Sequence, residues 1–267
     1  MNESGPQERG AQAEPGRRIE VLCADGAFAG RAEELARRLS APLRPWAPAR
    51  PGEAGGLPIE PGTLHLKVAR DGLSLVRGGL ELLPDLTELL ARIKPGALQR
   101  ELLVKAARVK GVERPRAVDA TAGLGEDSLL LAAAGFEVTL CEADPVIAAL
   151  LEDALARAAA HEVLGPVVAR MHLAALRESP DVVYLDPMFP GRTKSAKVKK
   201  KFQLIHGLEC PTDPMDEEAL LRAALAARPR KVVIKRPVKG PYLAGAKPSH
   251  SIAGKAVRYD CLVPPRD

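Results

Sequence analysis

AVDATAGLGED, residues 117–127, is the stretch whose reading decides the fold. Arg116–Ala120 reads as a strand and Glu126–Ala134 as a helix, so both glycines fall in the turn between them. Gly123 and Gly125 let the backbone turn sharply and approach a ligand with no Cβ in the way. In open α/β sheets ligands sit outside the carboxyl ends of the strands, and the first βα turn is the usual nucleotide contact. No GK[ST] follows, so this is not a P-loop, and Ser128 stands at the third glycine position of a GxGxxG pattern. Asp119, at the strand end, would repel a pyrophosphate and welcome a cationic or amine-bearing ligand. The next strand, Phe136–Cys141, runs into Glu142, nineteen residues after Gly123. That is the place of a carboxylate accepting hydrogen bonds from ribose hydroxyls.

Outward from this unit the chain alternates short apolar strands with helices. Pro145–Ala160 is a long apolar-faced helix, Val167–Met171 reads as a strand and Val182–Leu185 (VVYL) as a buried one. Glu217–Ala227 is a helix and Lys231–Ile234 (KVVI) a further buried strand. Such alternation means βαβ units and a parallel sheet covered on both faces. Ser251–Ala253 and Ala256–Val263 have no helix between them, so an antiparallel hairpin should close the sheet edge. Upstream, Ala97–Val109 has a helical pattern. Before it, strand Arg18–Ala24, helix Ala29–Leu39, a Pro/Gly-rich connector from Pro42 to Gly62 and a hairpin around Asp71-Gly72 form a small α+β unit. The expected division is a disordered tail over residues 1–17, an N-terminal α+β subdomain over 18–80 and the main α/β domain over 81–267.

A chain of 267 residues suits this size, and its apolar runs fall far short of the roughly 18 residues of a membrane span. The start carries no secretory pattern. Four scattered cysteines form no CxxC pair, which argues against a zinc site or a disulfide framework and for free thiols in the cytoplasm. The expectation is a cytoplasmic protein with no membrane and no metal. The net charge of +5 is unevenly placed. Residues 1–186 carry 22 Lys/Arg against 27 Asp/Glu, whereas 187–267 carry 17 against 7, and no acid occurs between Ala219 and Tyr259. This asymmetry points to a polyanionic partner near the C-terminal third.

The VVYL strand runs into Asp186-Pro187-Met188-Phe189-Pro190. Pro187 holds Asp186 extended and offers no N–H, so the turn presents a carboxylate and carbonyl oxygens beside an aromatic face. This suits an exocyclic amino group on a planar base. Asp186 and the Pro187 carbonyl accept the amine hydrogens, and Phe189 stacks on the base. The basic run Arg192, Lys194, Lys197, Lys199, Lys200 and Lys201 adjoins the turn, and Lys235 and Arg236 end the KVVI strand. Backbone phosphates are the expected contacts of these eight residues. Only eight aromatic residues occur, so one flipped base fits better than a long stacking platform.

Asp119, the glycine turn and Glu142 together resemble the S-adenosylmethionine site of class I methyltransferases. The Asp186 turn resembles the Asp-Pro-Pro-Tyr/Phe turn of amino-methyltransferases, with Met188 in place of the second proline. DATAGLG, Glu142, VVYLDPMFP, the Lys-rich run and VVIKRP, in this order, resemble the bacterial 16S ribosomal RNA guanine-N2 methyltransferases that act near the 3′ end of that RNA. The resemblance covers roughly Gly96 to Val263; residues 1–60 match only in general layout. It implies a Rossmann-like, mostly parallel seven-stranded sheet with a C-terminal antiparallel hairpin. It also implies S-adenosyl-L-methionine as cofactor and 16S ribosomal RNA or the small ribosomal subunit as partner. Carried over residue by residue, its cofactor positions are Glu126 and Asp127, Glu142 and Ala143, Met171 and His172, and Asp186. Asp127, Glu142 and Asp186 keep the family's chemistry. Glu126, Ala143, Met171 and His172 depart from its residue types, which leaves them backbone or packing contacts. Other readings are an amino-methyltransferase on a DNA or tRNA base or a protein glutamine, an inactive RNA-binding relative, or a nicotinamide dehydrogenase. The missing third glycine and Asp119 oppose the last of these.

Overall fold

The computed structural model describes residues 18–45, 63–174, 179–187, 204 and 214–265. The expected tail, most of the connector, Phe189 and the basic run from Arg192 to Lys201 lie outside the described residues.

Two sheets carry the described chain. The first has the order β2-β1-β3-β4-β5, from β1 (Arg18–Cys23), β2 (Leu43–Pro45), β3 (Thr63–Ala69), β4 (Gly72–Arg77) and β5 (Leu80–Leu82). β1 pairs in parallel with β2 and β3, and β3–β4–β5 is an antiparallel meander. α1 (Ala29–Arg38) turns Ala32 and Ala36 inward and its arginines outward, as an amphipathic helix on one sheet face must. β2 and β5, three residues each, are too short for periodicity to reveal. The β3–β4 loop is Arg70-Asp71, because Ala69 pairs with Gly72.

The second sheet has the order β11-β12-β10-β9-β6-β7-β8. Its strands are β6 (Arg116–Asp119), β7 (Glu137–Leu140), β8 (Met171–Leu173), β9 (Val182–Leu185), β10 (Lys231–Pro237), β11 (His250–Ala253) and β12 (Val257–Leu262). β6 to β10 run parallel, and β12 lies antiparallel between β10 and β11, the expected terminal hairpin. β9 is central, and Val182, Val183, Tyr184 and Leu185 are all at most 2% exposed. Covered on both faces, it reads as a continuous apolar run rather than an alternating one.

Helices α2 (Pro95–Leu98), α3 (Leu102–Ala107), α4 (Glu126–Ala133), α5 (Pro145–Ala159), α6 (Gly165–Val168) and α7 (Pro214–Ala226) complete the fold. Two expectations are corrected. The Ala97–Val109 helix is broken at Glu101, whose backbone is extended and whose carboxylate forks onto Arg92 at 2.8 and 2.9 Å. The Val167–Met171 strand is instead the end of α6 followed by β8, since Pro166 sits in the first turn of a helix and Val168 packs into the core.

α4 is buried on two sides: Leu129 and Leu131 join the sheet core, and Leu130 meets Leu98 and Val104. α5 joins the two sheets. Leu151, Ala154 and Ala158 enter the main core, while Val146, Ile147 and Leu150 pack with Val21, Leu64 and Leu75 of the first sheet. Between these faces Asp153, 5% exposed, accepts from the Leu73 N–H at 3.0 Å, from Arg157 Nε at 2.8 Å and from Arg31. This carboxylate comes so close to β4 that a Cβ on Gly72 would lie 2.8 Å from Asp153 Oδ2, which is why a glycine stands there. No helix among the described residues is long and apolar enough to cross a membrane.

Candidate active site

The parallel register brings the strand ends to one edge. Asp119 pairs with Leu140 and Tyr184, and Leu185 pairs with Ile234. Asp119, Glu142, Asp186 and Lys235 therefore come from four different strands to one place.

The glycine turn follows β6. Gly125 has φ +79°, and a Cβ there would lie 2.7 Å from Leu151 Cδ1, so both conformation and space exclude a side chain. At Gly123 a Cβ would meet only Thr121 O, at 4.0 Å, and the backbone faces open space. Glu142 clasps this turn. Its Oε2 accepts the Gly123 N–H and its Oε1 the Asp144 N–H, both at 2.8 Å. A carboxylate has about four acceptor positions. Those remaining, beside an open glycine backbone, suit the vicinal hydroxyls of a ribose.

Asp119 stands behind the turn rather than in it. It is 1% exposed; its Oδ2 accepts from Ser128 Oγ at 2.5 Å and its Oδ1 from the Thr121 N–H at 3.1 Å. Burial pushes its carboxyl up to about 7, and nearby Asp127 and Asp186 add to this. Its place is that of a brace between the turn and α4.

Asp127, in the first turn of α4, accepts from Tyr184 Oη at 2.6 Å and from Lys235 Nζ at 2.7 Å. Burial opposes its ionisation, but Lys235, Tyr184 and Arg92 prevail and hold it below the usual carboxylate range. The same ammonium lies 2.7 Å from Asp186 Oδ2. The Asp186 N–H donates to Thr121 Oγ1 at 2.6 Å, which ties the β9 turn to the glycine turn. The Asp186 side chain is 37% exposed, so its carboxylate faces the cleft mouth while Lys235 holds it from within. Burial and Asp127 raise its pKa more than Lys235 lowers it. Two carboxylates share one cation, and the one at the mouth is left the more basic.

Pro187 is buried directly after Asp186. Glu126 is half-buried and Ala143 exposed beside Glu142. Met171 is 6% exposed and belongs to the core, whereas His172 is exposed on edge strand β8. Two expected RNA contacts are corrected. Lys235 is bound by two carboxylates, which leaves its charge no phosphate to neutralise. Arg236, on the opposite face of β10, is 1% exposed, and its guanidinium donates to Glu217 and to the Pro241 carbonyl. A side chain without surface meets no phosphate. The sequence reading also missed Thr121, Ser128 and Tyr184. Tyr184 left a signal: a hydroxyl inside an apolar strand needs a buried partner.

Comparison with known proteins gives the same picture. The family described as "Putative SAM-dependent methyltransferase" matches residues 84–264. The chain is 43% identical over 263 residues to "Ribosomal RNA small subunit methyltransferase J" of Thioalkalivibrio sulfidiphilus, covering 92% of this chain and 98% of that one. It is 42% identical over 267 residues to the protein of that name from Pseudomonas aeruginosa, covering 93% and 95%. Among solved structures, a SAM-dependent methyltransferase of Neisseria gonorrhoeae is similar over 92% of this chain and 96% of its own, with a TM-score of 0.66 and 28% identity. The chain belongs to the ribosomal RNA small subunit methyltransferase J family of S-adenosylmethionine-dependent methyltransferases.

Proposed function

We propose that this protein transfers a methyl group to the exocyclic N2 of a guanosine in small-subunit ribosomal RNA, in the cytoplasm where ribosomes are made. The carrying observation is the Asp186 carboxylate, half-exposed at the end of β9 and held by Lys235 at 2.7 Å. The name shared by the relatives points to the RNA. The resemblance of the DPMF turn to amino-methyltransferases points to the amine.

In this reading Glu142 accepts from the ribose hydroxyls, and the glycine turn lies along the cofactor. Asp119, braced by Ser128, keeps the turn in shape rather than meeting the amine itself. S-adenosyl-L-methionine supplies a methyl group activated by its sulfonium. A guanine 2-amino group is a poor nucleophile, because its lone pair is delocalised into the ring. Accepting its hydrogens at Asp186 and the Pro187 carbonyl localises that pair, aligns it for attack and stabilises positive charge on nitrogen. The raised basicity of Asp186 suits it to take the proton released afterwards. Phe189 receives the flipped base, and the Lys194–Lys201 run holds phosphates. The smaller sheet, almost wholly within residues 18–80, is an N-terminal subdomain that packs on α5 of the methyltransferase part, 81–267.

The test is methylation of small-subunit RNA and of small subunits with labelled S-adenosylmethionine, followed by nuclease digestion and mass spectrometry. N2-methylguanosine is expected. A methyl group on another atom or base would overturn the assignment.

A further inference from the structure

We propose that the connection leaving β10 is a second RNA-contacting surface, on which Tyr242 stacks a nucleobase beside the target and Lys239 and Lys255 meet the flanking phosphates. This rests on the ribosomal RNA reading above and extends it to a surface outside the methyl-transfer centre.

The connection departs from the site's own edge. Pro237 lies two residues after Lys235, and the Val238 N–H donates to the Ala256 carbonyl, which brings the Gly254–Ala256 turn alongside. Arg258 shapes it from below. Its Nη1 donates to the carbonyls of Pro237, Val238 and Gly240 at 2.7–2.9 Å, and its Nε to Asp260. The same guanidinium lies 5.1 Å from the centroid of the Tyr242 ring. Tyr242 nevertheless remains 41% exposed, while its neighbour Leu243 is 1% exposed and anchored in the core. Ala244 holds φ +47°, a conformation costly for a non-glycine residue, and its N–H donates to Glu217.

A plain linker needs no buried arginine beneath it and no strained residue within it. Here both fix an aromatic ring in one exposed position. A ring immobilised beforehand loses little entropy when a base stacks on it. Arg258 under one face leaves the ring well suited to a planar π partner. Lys239 and Lys255 are exposed at the same edge, and neither is in an ion pair among the described residues. The connection itself, residues 237–246, contains no acid, and the nearby carboxylates Glu217 and Asp260 are bonded to Arg236 and Arg258.

The experiment measures binding of a small-subunit RNA fragment and of whole small subunits over a salt series, with S-adenosylhomocysteine present. It compares wild type, Tyr242→Ala, Tyr242→Phe and Lys239→Ser/Lys255→Ser. Tyr242→Ala should weaken RNA binding about 5- to 100-fold, and Tyr242→Phe should restore it, since stacking needs the ring and not the hydroxyl. The double lysine variant should reduce the salt slope by roughly 0.7 per lost contact. S-adenosylhomocysteine affinity should stay unchanged in all three, which also reports that they are folded. RNA binding by Tyr242→Ala equal to wild type, or loss of binding to subunits but not to RNA, would overturn the proposal; the second result would assign the surface to a ribosomal protein. If wild type itself neither binds nor methylates small-subunit RNA, the broader functional reading fails instead.

Discussion

Lys235 Nζ stands 2.7 Å from Asp186 Oδ2, on neighbouring strands whose register places the two residues side by side. The ammonium also meets Asp127, so the helix after the glycine turn and the turn after β9 share one counter-ion. Removing it would leave two carboxylates facing each other. Lys235→Met should raise the Asp186 pKa further, because it removes the cation that favours ionisation and leaves Asp127 as a nearby like charge that disfavours it. The acid limb of the methylation profile should move to higher pH than in wild type, with the lost activity recovered as pH is raised. Single-turnover rates across pH measure this; an unmoved limb would show that the ion pair does not govern Asp186.

Glu142 is the one acidic side chain among the described residues that clasps the glycine turn while keeping acceptor positions open. Glu142→Ala removes charge-assisted acceptors worth about 1.5–3 kcal/mol. S-adenosylmethionine affinity should fall roughly ten- to hundredfold. Calorimetric titration decides it, and wild-type affinity would refute the cofactor role.

Asp119 carries a pH signature. Burial raises its carboxyl from 3.8 to about 7. Between these values the unfolded chain has released a proton that the folded chain retains, so stability falls as pH rises from about 4 to 7 and levels off above. Asp119→Asn should remove that slope, which is at most about 1.4 kcal/mol of stability for each pH step of one across this window. Urea unfolding at several pH values is the check. An equal slope in the variant would mean that Asp119 titrates like an exposed carboxylate.

Gly125 tests the turn. Gly125→Ala puts a Cβ 2.7 Å from Leu151 Cδ1 and a side chain at φ +79°. A cost of about 1–3 kcal/mol is expected from overpacking and strain together. Thermal unfolding should show a fall of several degrees, accompanied by weaker cofactor binding. A variant as stable as wild type would mean that the turn relaxes freely.

Much of the architecture was legible because burial on both faces leaves a plain mark. VVYL and KVVI, unbroken apolar runs between helices, could only be interior strands. The glycine turn and Glu142 were legible because their chemistry depends on local spacing. What escaped depended on partners far away in sequence. Lys235 and Arg236 read alike as basic residues, yet one side chain meets carboxylates 49 and 108 residues away and the other is sealed beside Glu217. Charge counted along a chain shows its sign but not whether folding neutralises it. Asp119 was legible as an acid at the strand end; its withdrawal behind Ser128 was not. The break at Glu101 was hidden for a similar reason, since the helical pattern continues through a residue that Arg92 draws out of the helix.

The central claim is that Asp186 performs the chemistry at the end of β9. Asp186→Asn keeps the shape of the side chain and its backbone bond to Thr121 but exchanges a carboxylate for an amide. Single-turnover methylation of small-subunit RNA or subunits is the most direct measurement. At least about a hundredfold loss of rate is predicted, near the low end for a positioned acid–base or electrostatic group, with RNA and S-adenosylmethionine binding within a few-fold of wild type. A methylation rate within a few-fold of wild type would contradict the account and make Asp186 a structural residue.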